Sequence, residues 1–300
     1  MKIAFIWQGF DGRYGQWRDG LWAAMQLIEK RHQVRYFDFP LTDVNDFNPD
    51  IVLYWEACCT AAGKDRDNYE TVRKLPFKKA LLFAGGPIRK EWCTGFDLFF
   101  VESRLNEEEF SALGIPWKRA FGVNTQIFKP EKQPKVFDGV FQATCASWKR
   151  HWLGAEALGS KYAVMGRHQA TDPMGFMRVR DAGGLVLPEL SAEAVASVLN
   201  ASHTVINSSD YWGGGQRATL EAMACGVMPV VMTDSTKNRE FVEESGFGLV
   251  VDPDPNKIRE AVQHRKEDYV GEPGVAYIRN KWTERHYADA LLAGIKEICG

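Results

Sequence analysis

The sequence predicts an α/β protein made of two doubly wound, Rossmann-like domains. Short apolar runs alternate with longer amphipathic ones, the pattern of a parallel sheet flanked by helices. The alternation pauses once, at the proline-flanked polar stretch Pro130-Glu131-Lys132-Gln133-Pro134-Lys135, and then starts again. The chain has 300 residues, 45 % of them hydrophobic, and this length suits two cores of ~150 residues better than one.

The first series opens with a strand at Lys2–Trp7 and a helix at 17–30, where Leu21, Trp22, Met25 and Ile28 recur at helical spacing. Strands follow at 33–39, 51–55, 80–84 and 97–102, then a helix at 106–113 that stops at Gly114. The second series runs strand 139–143, helix 151–158, strand 162–165, helix 192–200 and strand 204–207. It continues with a helix at 216–225 and strands at 228–232 and 248–251. Each strand–helix step takes ~30 residues, as a βαβ unit requires. The expected domains are residues 1–129 and 134–280.

Composition narrows the function classes. The formal net charge is -2, and residues 1–129 hold 18 basic against 17 acidic side chains. Neither half has the basic excess of a duplex nucleic-acid binder. No apolar run approaches the ~20 residues that cross a bilayer. Met1–Trp7 reads as a first strand rather than a signal peptide. The six cysteines show no CxxC spacing and are expected as reduced core thiols, with a cytoplasmic location as the expectation. The six histidines are scattered without metal-ligand spacing, and no metal site is expected.

Ligands of doubly wound sheets bind beyond the carboxyl ends of the strands, which directs attention to the loops there. Strand 204–207 runs into Ser208-Ser209-Asp210-Tyr211-Trp212-Gly213-Gly214-Gly215, and a helix begins at Gln216. Glycines let backbone N–H groups approach an anion, and a helix N-terminus adds unpaired donors and partial positive charge. Arg217 lies in the first helical turn as a fixed cation, and Glu221 one turn further in offers a carboxylate to two neighbouring ribose hydroxyls. The turn alone is equally consistent with a flexible connection before an ordinary helix.

The longer segment Arg217-Ala218-Thr219-Leu220-Glu221-Ala222-Met223-Ala224-Cys225-Gly226, with Pro229-Val230-Val231 after it, resembles the signature of the group-one retaining glycosyltransferases. These are GT-B enzymes related to glycogen synthase and sucrose synthase. Gly122-Val123-Asn124-Thr125-Gln126-Ile127-Phe128-Lys129-Pro130 is similar to their interdomain segment. Asn238-Arg239-Glu240-Phe241-Val242, Gly246-Phe247-Gly248-Leu249-Val250 and Lys281-Trp282-Thr283-Glu284-Arg285 fall where the family has similar residues.

The resemblance implies a GT-B fold with a nucleotide-sugar bound in the cleft between two domains. The first domain is then the acceptor side and the second the donor side, with a final helix at about 281–300 returning to the first. It implies that Glu221 binds the ribose and that Gly213, Gly214, Gly215, Gln216, Arg217 and Thr219 complete the donor site. Lys149 matches a diphosphate-binding lysine by spacing, and Arg150 is a neighbour that shares the role in this reading. Retention, metal independence and departure of the diphosphate assisted by Lys149, Arg217 and the turn amides are implied as well, with no cofactor beyond the donor substrate.

Four departures bear on catalysis. Gly213 stands where the family has a second glutamate, with Asp210 the candidate substitute. Thr144 or Ala143 replaces an arginine, Gly85-Gly86-Pro87 stands in place of a histidine, and Met228 is an extra residue before Pro229. Asp252-Pro253-Asp254 and Asp65-Arg66-Asp67 spell a metal-diphosphate motif of other glycosyltransferases but are expected in surface turns. Gly12, Arg13 and Tyr14, in the loop after the first strand, are the acceptor-side candidates. The acceptor class stays open among sugar, lipid, protein, small molecule and modified nucleobase. Two alternatives also stay open: an epimerase or phosphorylase of the same fold, and a non-catalytic sugar-nucleotide-binding relative.

Overall fold

The computed structural model describes residues 1–7, 18–56, 64–83, 85, 88–167, 172, 174–211, 214–263 and 271–300, without the side chains of residues 56, 64 and 65. The chain folds as two compact units, Met1–Gly122 with Glu284–Gly300, and Val123–Thr283.

The first unit is built on six parallel strands: β1 Lys2–Trp7, β2 Gln33–Phe37, β3 Ile51–Glu56, β4 Lys78–Phe83, β5 Leu98–Val101 and β6 Trp117–Arg119. Their spatial order is β2-β1-β3-β4-β5-β6. Between them lie α1 Gly20–Glu29, α2 Val44–Phe47, α3 Lys64–Arg73 and α4 Arg104–Ala112. A parallel sheet is covered on both faces, so its strands read as continuous apolar runs rather than alternating ones. Ile6, Tyr54, Phe83 and Phe99 point into one core with Tyr69, Phe96 and Phe110. Tyr54 and Phe96 stack with centroids 6.5 Å apart. The other face carries α1 and the terminal helix, Glu284–Cys299, which packs on α1 and on β4, β5 and β6.

The second unit repeats the plan with β7 Phe137–Gln142, β8 Tyr162–Met165, β9 Leu185–Leu187, β10 Ser202–Asn207, β11 Met228–Met232 and β12 Leu249–Val251. The order is β12-β11-β10-β7-β8-β9, all parallel. Its helices are α5 His151–Leu158, α6 Gly175–Asp181, α7 Ala192–Asn200, α8 Gln216–Ala224, α9 Thr236–Ser245, α10 Pro255–Gln263 and α11 Glu272–Lys281. The terminal helix of the first unit is therefore α12. Phe141, Tyr162, Phe176 and Ile206 belong to this unit's core.

The polar stretch at 130–135 lies within the second unit. Glu131 N–H donates to Asn200 Oδ1 at 2.8 Å, and Lys135 Nζ donates to the carbonyls of Asn200 and Ser202 at 2.9 and 2.8 Å. Hydrogen bonds to the C-terminal end of α7 thus fix a segment whose composition reads as a linker. Asp252 and Asp254 have local tasks. Asp252 Oδ1 accepts from Thr233 Oγ1 at 3.0 Å, and Asp254 Oδ1 caps α10 through Asn256 N–H at 2.8 Å and Lys257 N–H at 3.1 Å. No described helix is long and apolar enough to cross a membrane.

Gly294 marks where α12 meets the first sheet. A Cβ there would lie 2.6 Å from Phe100 Cε1 and 2.8 Å from Leu98 Cδ2. Gly294→Ala is expected to lower the unfolding free energy by ~1–3 kcal/mol through overpacking. Urea unfolding checks this, and an unchanged midpoint would mean that α12 does not sit on these strands.

Candidate functional site

In the second sheet the strand order reverses between β7 and β10, and crevices at such switch points hold ligands in doubly wound folds. The loops leaving these two strands carry Lys149 and the glycine turn. A buried polar network beneath the turn sets its shape. Asn207, the last residue of β10, is fully buried. Its Nδ2, with two hydrogens to give, lies 3.0 Å from the carbonyl of Gly215, 3.0 Å from Thr219 Oγ1 and 2.9 Å from Asn238 Oδ1. Its Oδ1 accepts from Ser209 N–H at 3.3 Å, which fixes the orientation of the amide. Asn238, from α9, donates through Nδ2 to the carbonyl of Gly214 at 3.0 Å and to Ser235 Oγ at 2.9 Å. Thr219 Oγ1 donates to Asn238 Oδ1 at 3.0 Å.

The carbonyls of Gly214 and Gly215 are thereby drawn toward the protein interior. Gly214 and Gly215 adopt φ of +42° and +106°, and Gly215 is the N-cap of α8 with no side-chain cap bond. A Cβ on Gly215 would lie 2.8 Å from Asn207 Nδ2, so both conformation and space require glycine there. The nine-residue helix α8 starts without a capping side chain and with no acidic residue in its first turn, leaving its electropositive end unneutralised by its own sequence.

The two loops are also bound to each other. Ser208 Oγ donates to the carbonyl of Lys149 at 2.8 Å, and Asp210 N–H donates to the carbonyl of Trp148 at 2.9 Å. Arg150, with φ +46°, turns back across both: Nε donates to Ser208 O at 2.8 Å and Nη2 to Ser209 O at 3.0 Å. Its two Nη atoms also clamp Asp234 at 2.7 and 2.8 Å. The Arg150 guanidinium, expected to share the role of Lys149, thus holds the two loops together in this structure. Lys149 is half-buried at the end of a short 3₁₀ turn, Ser147–Lys149, on the same loop.

The other expected residues divide. Gln216 is buried at the first position of α8, and Arg217 is half-buried beside it. Glu221 is buried, and one oxygen, Oε2, accepts from Gln142 Nε2 at the end of β7. Thr219, expected in the donor site, belongs to the network under the turn and has no exposed surface. Gly213, Gly12, Arg13 and Tyr14 lie outside the described residues.

Gln142 and Asp234 were not picked out from sequence, and Asn207 and Asn238 entered only as members of a strand and a motif, although an asparagine closing an apolar strand directly before Ser208-Ser209 is a usable signal. Ser209 Oγ is buried without a partner beside Gly215. His151 is a core residue: it lies between the rings of Phe141 and Phe176, and Nε2 donates to Thr144 O at 3.3 Å. Burial pushes its pKa down to about 3, so it stays neutral. Among the described residues no group of histidine, cysteine, aspartate and glutamate is arranged to hold a metal ion.

Residues 160–268 match the family described as Glycosyl transferases group 1, a span that contains the turn, Glu221 and Asn238. The second unit carries a group 1 glycosyltransferase domain. That match supports a transferase of glycosyl groups. Solved structures extend the likeness to the whole chain. Sucrose-phosphate synthase from Thermosynechococcus elongatus superposes with a TM-score of 0.74 at 13 % identity, covering 99 % of this chain and 98 % of its own. Anabaena HepE, in complex with UDP and glucose, gives 0.73 at 12 % identity, with 99 % of each chain covered. A UDP-N-acetylglucosamine 2-epimerase assignment from Listeria monocytogenes gives 0.65 at 14 % identity, with 99 % and 96 % covered. These matches establish the GT-B fold for this glycosyltransferase. No curated protein matches the chain in sequence.

The division of labour between the two neighbouring cations is testable on stability alone. Arg150→Met removes the donors to Ser208 O and Ser209 O and is expected to lower stability by ~2–4 kcal/mol. Chemical denaturation checks this, and a loss below ~0.5 kcal/mol would mean that the guanidinium does not hold the loops.

Proposed function

We propose that this glycosyltransferase takes its sugar from a nucleoside-diphosphate donor bound at the switch point of the second unit. The observation that carries the reading is the glycine turn: its carbonyls are held inward by Asn207 and Asn238, at the uncapped start of α8. Peptide N–H groups in such a turn face away from the buried carbonyls and suit a diphosphate. Glu221, one turn along α8, supplies the carboxylate for the ribose hydroxyls. HepE is similar over its whole length and was solved with UDP and glucose, which supports a donor of that chemical type.

Negative charge grows on the diphosphate as the glycosidic bond breaks. Lys149, Arg217 and the turn amides assist that departure, and a cation placed there favours the transition state over the ground state. Retention at the anomeric carbon follows the family resemblance. Metal independence is part of the same reading: Asp252 and Asp254 are engaged by Thr233 and the start of α10, and the cations above take the diphosphate charge. The first unit is assigned the acceptor, and the cytoplasm is the proposed location.

Turnover of UDP-sugar, ADP-sugar and GDP-sugar donors, in excess chelator and with product analysis, tests the reading. Lys149→Ala is expected to reduce kcat by ~10²-fold, the scale of losing one aimed donor. Its melting temperature is expected to move little, since a lysine side chain at this level of exposure contributes little to stability. Full turnover in Lys149→Ala contradicts the assignment. Loss of activity on chelation, restored by magnesium or manganese, contradicts metal independence. An altered sugar released without acceptor would favour an epimerase instead.

A further inference from the structure

Gln142 is the side chain at the switch point that the proposed chemistry does not use. It closes β7, next to β10 in the sheet, and reaches across to α8, 79 residues away in sequence. Its Nε2 donates to Glu221 Oε2, while its Oε1 is sealed from solvent with no partner. The carboxamide orientation is unambiguous, because a flip would set two oxygens against each other. A buried acceptor without a partner is costly, and an apolar side chain of the same size would avoid that cost. What the glutamine adds at this position is its donor end, and that end is spent on one carboxylate oxygen.

We propose that Gln142 is a positioning residue for ribose recognition: it fixes the Glu221 carboxylate so that it meets the two neighbouring hydroxyls of a nucleoside-diphosphate ribose. The inference rests on the reading of this site as a donor site. Two features make the fixation matter. Glu221 sits on a helix and has three rotatable side-chain bonds, so the helix alone does not set the plane of its carboxylate. Two hydrogen bonds to adjacent hydroxyls demand one plane, and a carboxylate free to rotate meets that geometry only part of the time. Anchoring one oxygen to the end of a central strand removes that freedom. Gln142 thereby acts on the ribose end of the nucleotide and leaves the diphosphate end to the turn.

The test is calorimetric titration of the full chain with UDP, ADP and GDP, with their 2′-deoxy and 3′-deoxy forms, and with inorganic pyrophosphate. The wild type is expected to bind its preferred ribonucleotide about tenfold more tightly than at least one deoxy form. In Gln142→Met that ratio is expected to fall to about threefold or less, with most of the loss in the ribonucleotide. Deoxynucleotide and pyrophosphate affinities stay near the wild-type values. Gln142→Leu, which also lacks a donor, is expected to behave in the same way and serves if the methionine variant does not fold. A residue of purely structural importance would weaken all ligands together and leave the ratio unchanged. Discrimination preserved in both variants overturns the positioning role and leaves the donor site standing. A wild type that binds none of the three nucleotides overturns the donor-site reading, and this inference with it.

Discussion

The side-chain amide of Asn207, sealed inside the second unit at the end of β10, joins the carbonyl of Gly215, the hydroxyl of Thr219 and the amide of Asn238 in one cluster. The glycine turn depends on that cluster. Glycines at positive φ have many conformations open to them, and nothing in their own chemistry selects one. The buried donors of Asn207 and Asn238 select it, because any other arrangement would leave several polar groups unpaired at ~1–3 kcal/mol each. The orientation of the turn's peptide groups, and the direction in which α8 starts, follow from this constraint.

The same economy governs the charges around the site. Of the two adjacent basic residues Lys149 and Arg150, the second has a left-handed backbone that sends its guanidinium back over Ser208, Ser209 and Asp234. A planar guanidinium with five donors suits the task of tying two carbonyls and a carboxylate together. Glu221 is held in turn by Gln142 from β7, so both strands of the switch point contribute to one site. The group 1 glycosyltransferase match covers the α8 side of this arrangement, and the β7 side lies just before it.

Much of the fold was legible because a parallel sheet writes itself as apolar runs. The strands Lys2–Trp7, Tyr162–Met165 and Met228–Met232 and the helices His151–Leu158 and Ala192–Asn200 have the bounds that their patterns give. Elements whose stability comes from elsewhere were not legible. Helix α3 is polar along most of its length and buries Tyr69 and Val72. Helix α9 buries Lys237, Asn238 and Glu240, so it shows no apolar stripe. Strands β6 and β9 have three residues each, too few for a period. In the candidate site, Glu221 and the glycines were singled out through an ordered motif. Gln142 was not, and Asn207 and Asn238 entered only as parts of a strand and a motif, since single amides far apart in sequence form no network until the sheet brings them together. The hydrogen bonds of Arg150 to Ser208, Ser209 and Asp234 were not legible either, since its left-handed backbone leaves no mark in the sequence.

The central claim is that inward-held carbonyls leave the peptide N–H groups of the turn and the first turn of α8 available to a diphosphate. Backbone amide NMR of the isotope-labelled chain, titrated with UDP, addresses it most directly. The account predicts that the largest shifts fall on the amides of Gly214, Gly215, Gln216 and Arg217, with smaller ones at Lys149. Saturating UDP that shifts amides elsewhere and leaves those four unmoved would contradict it.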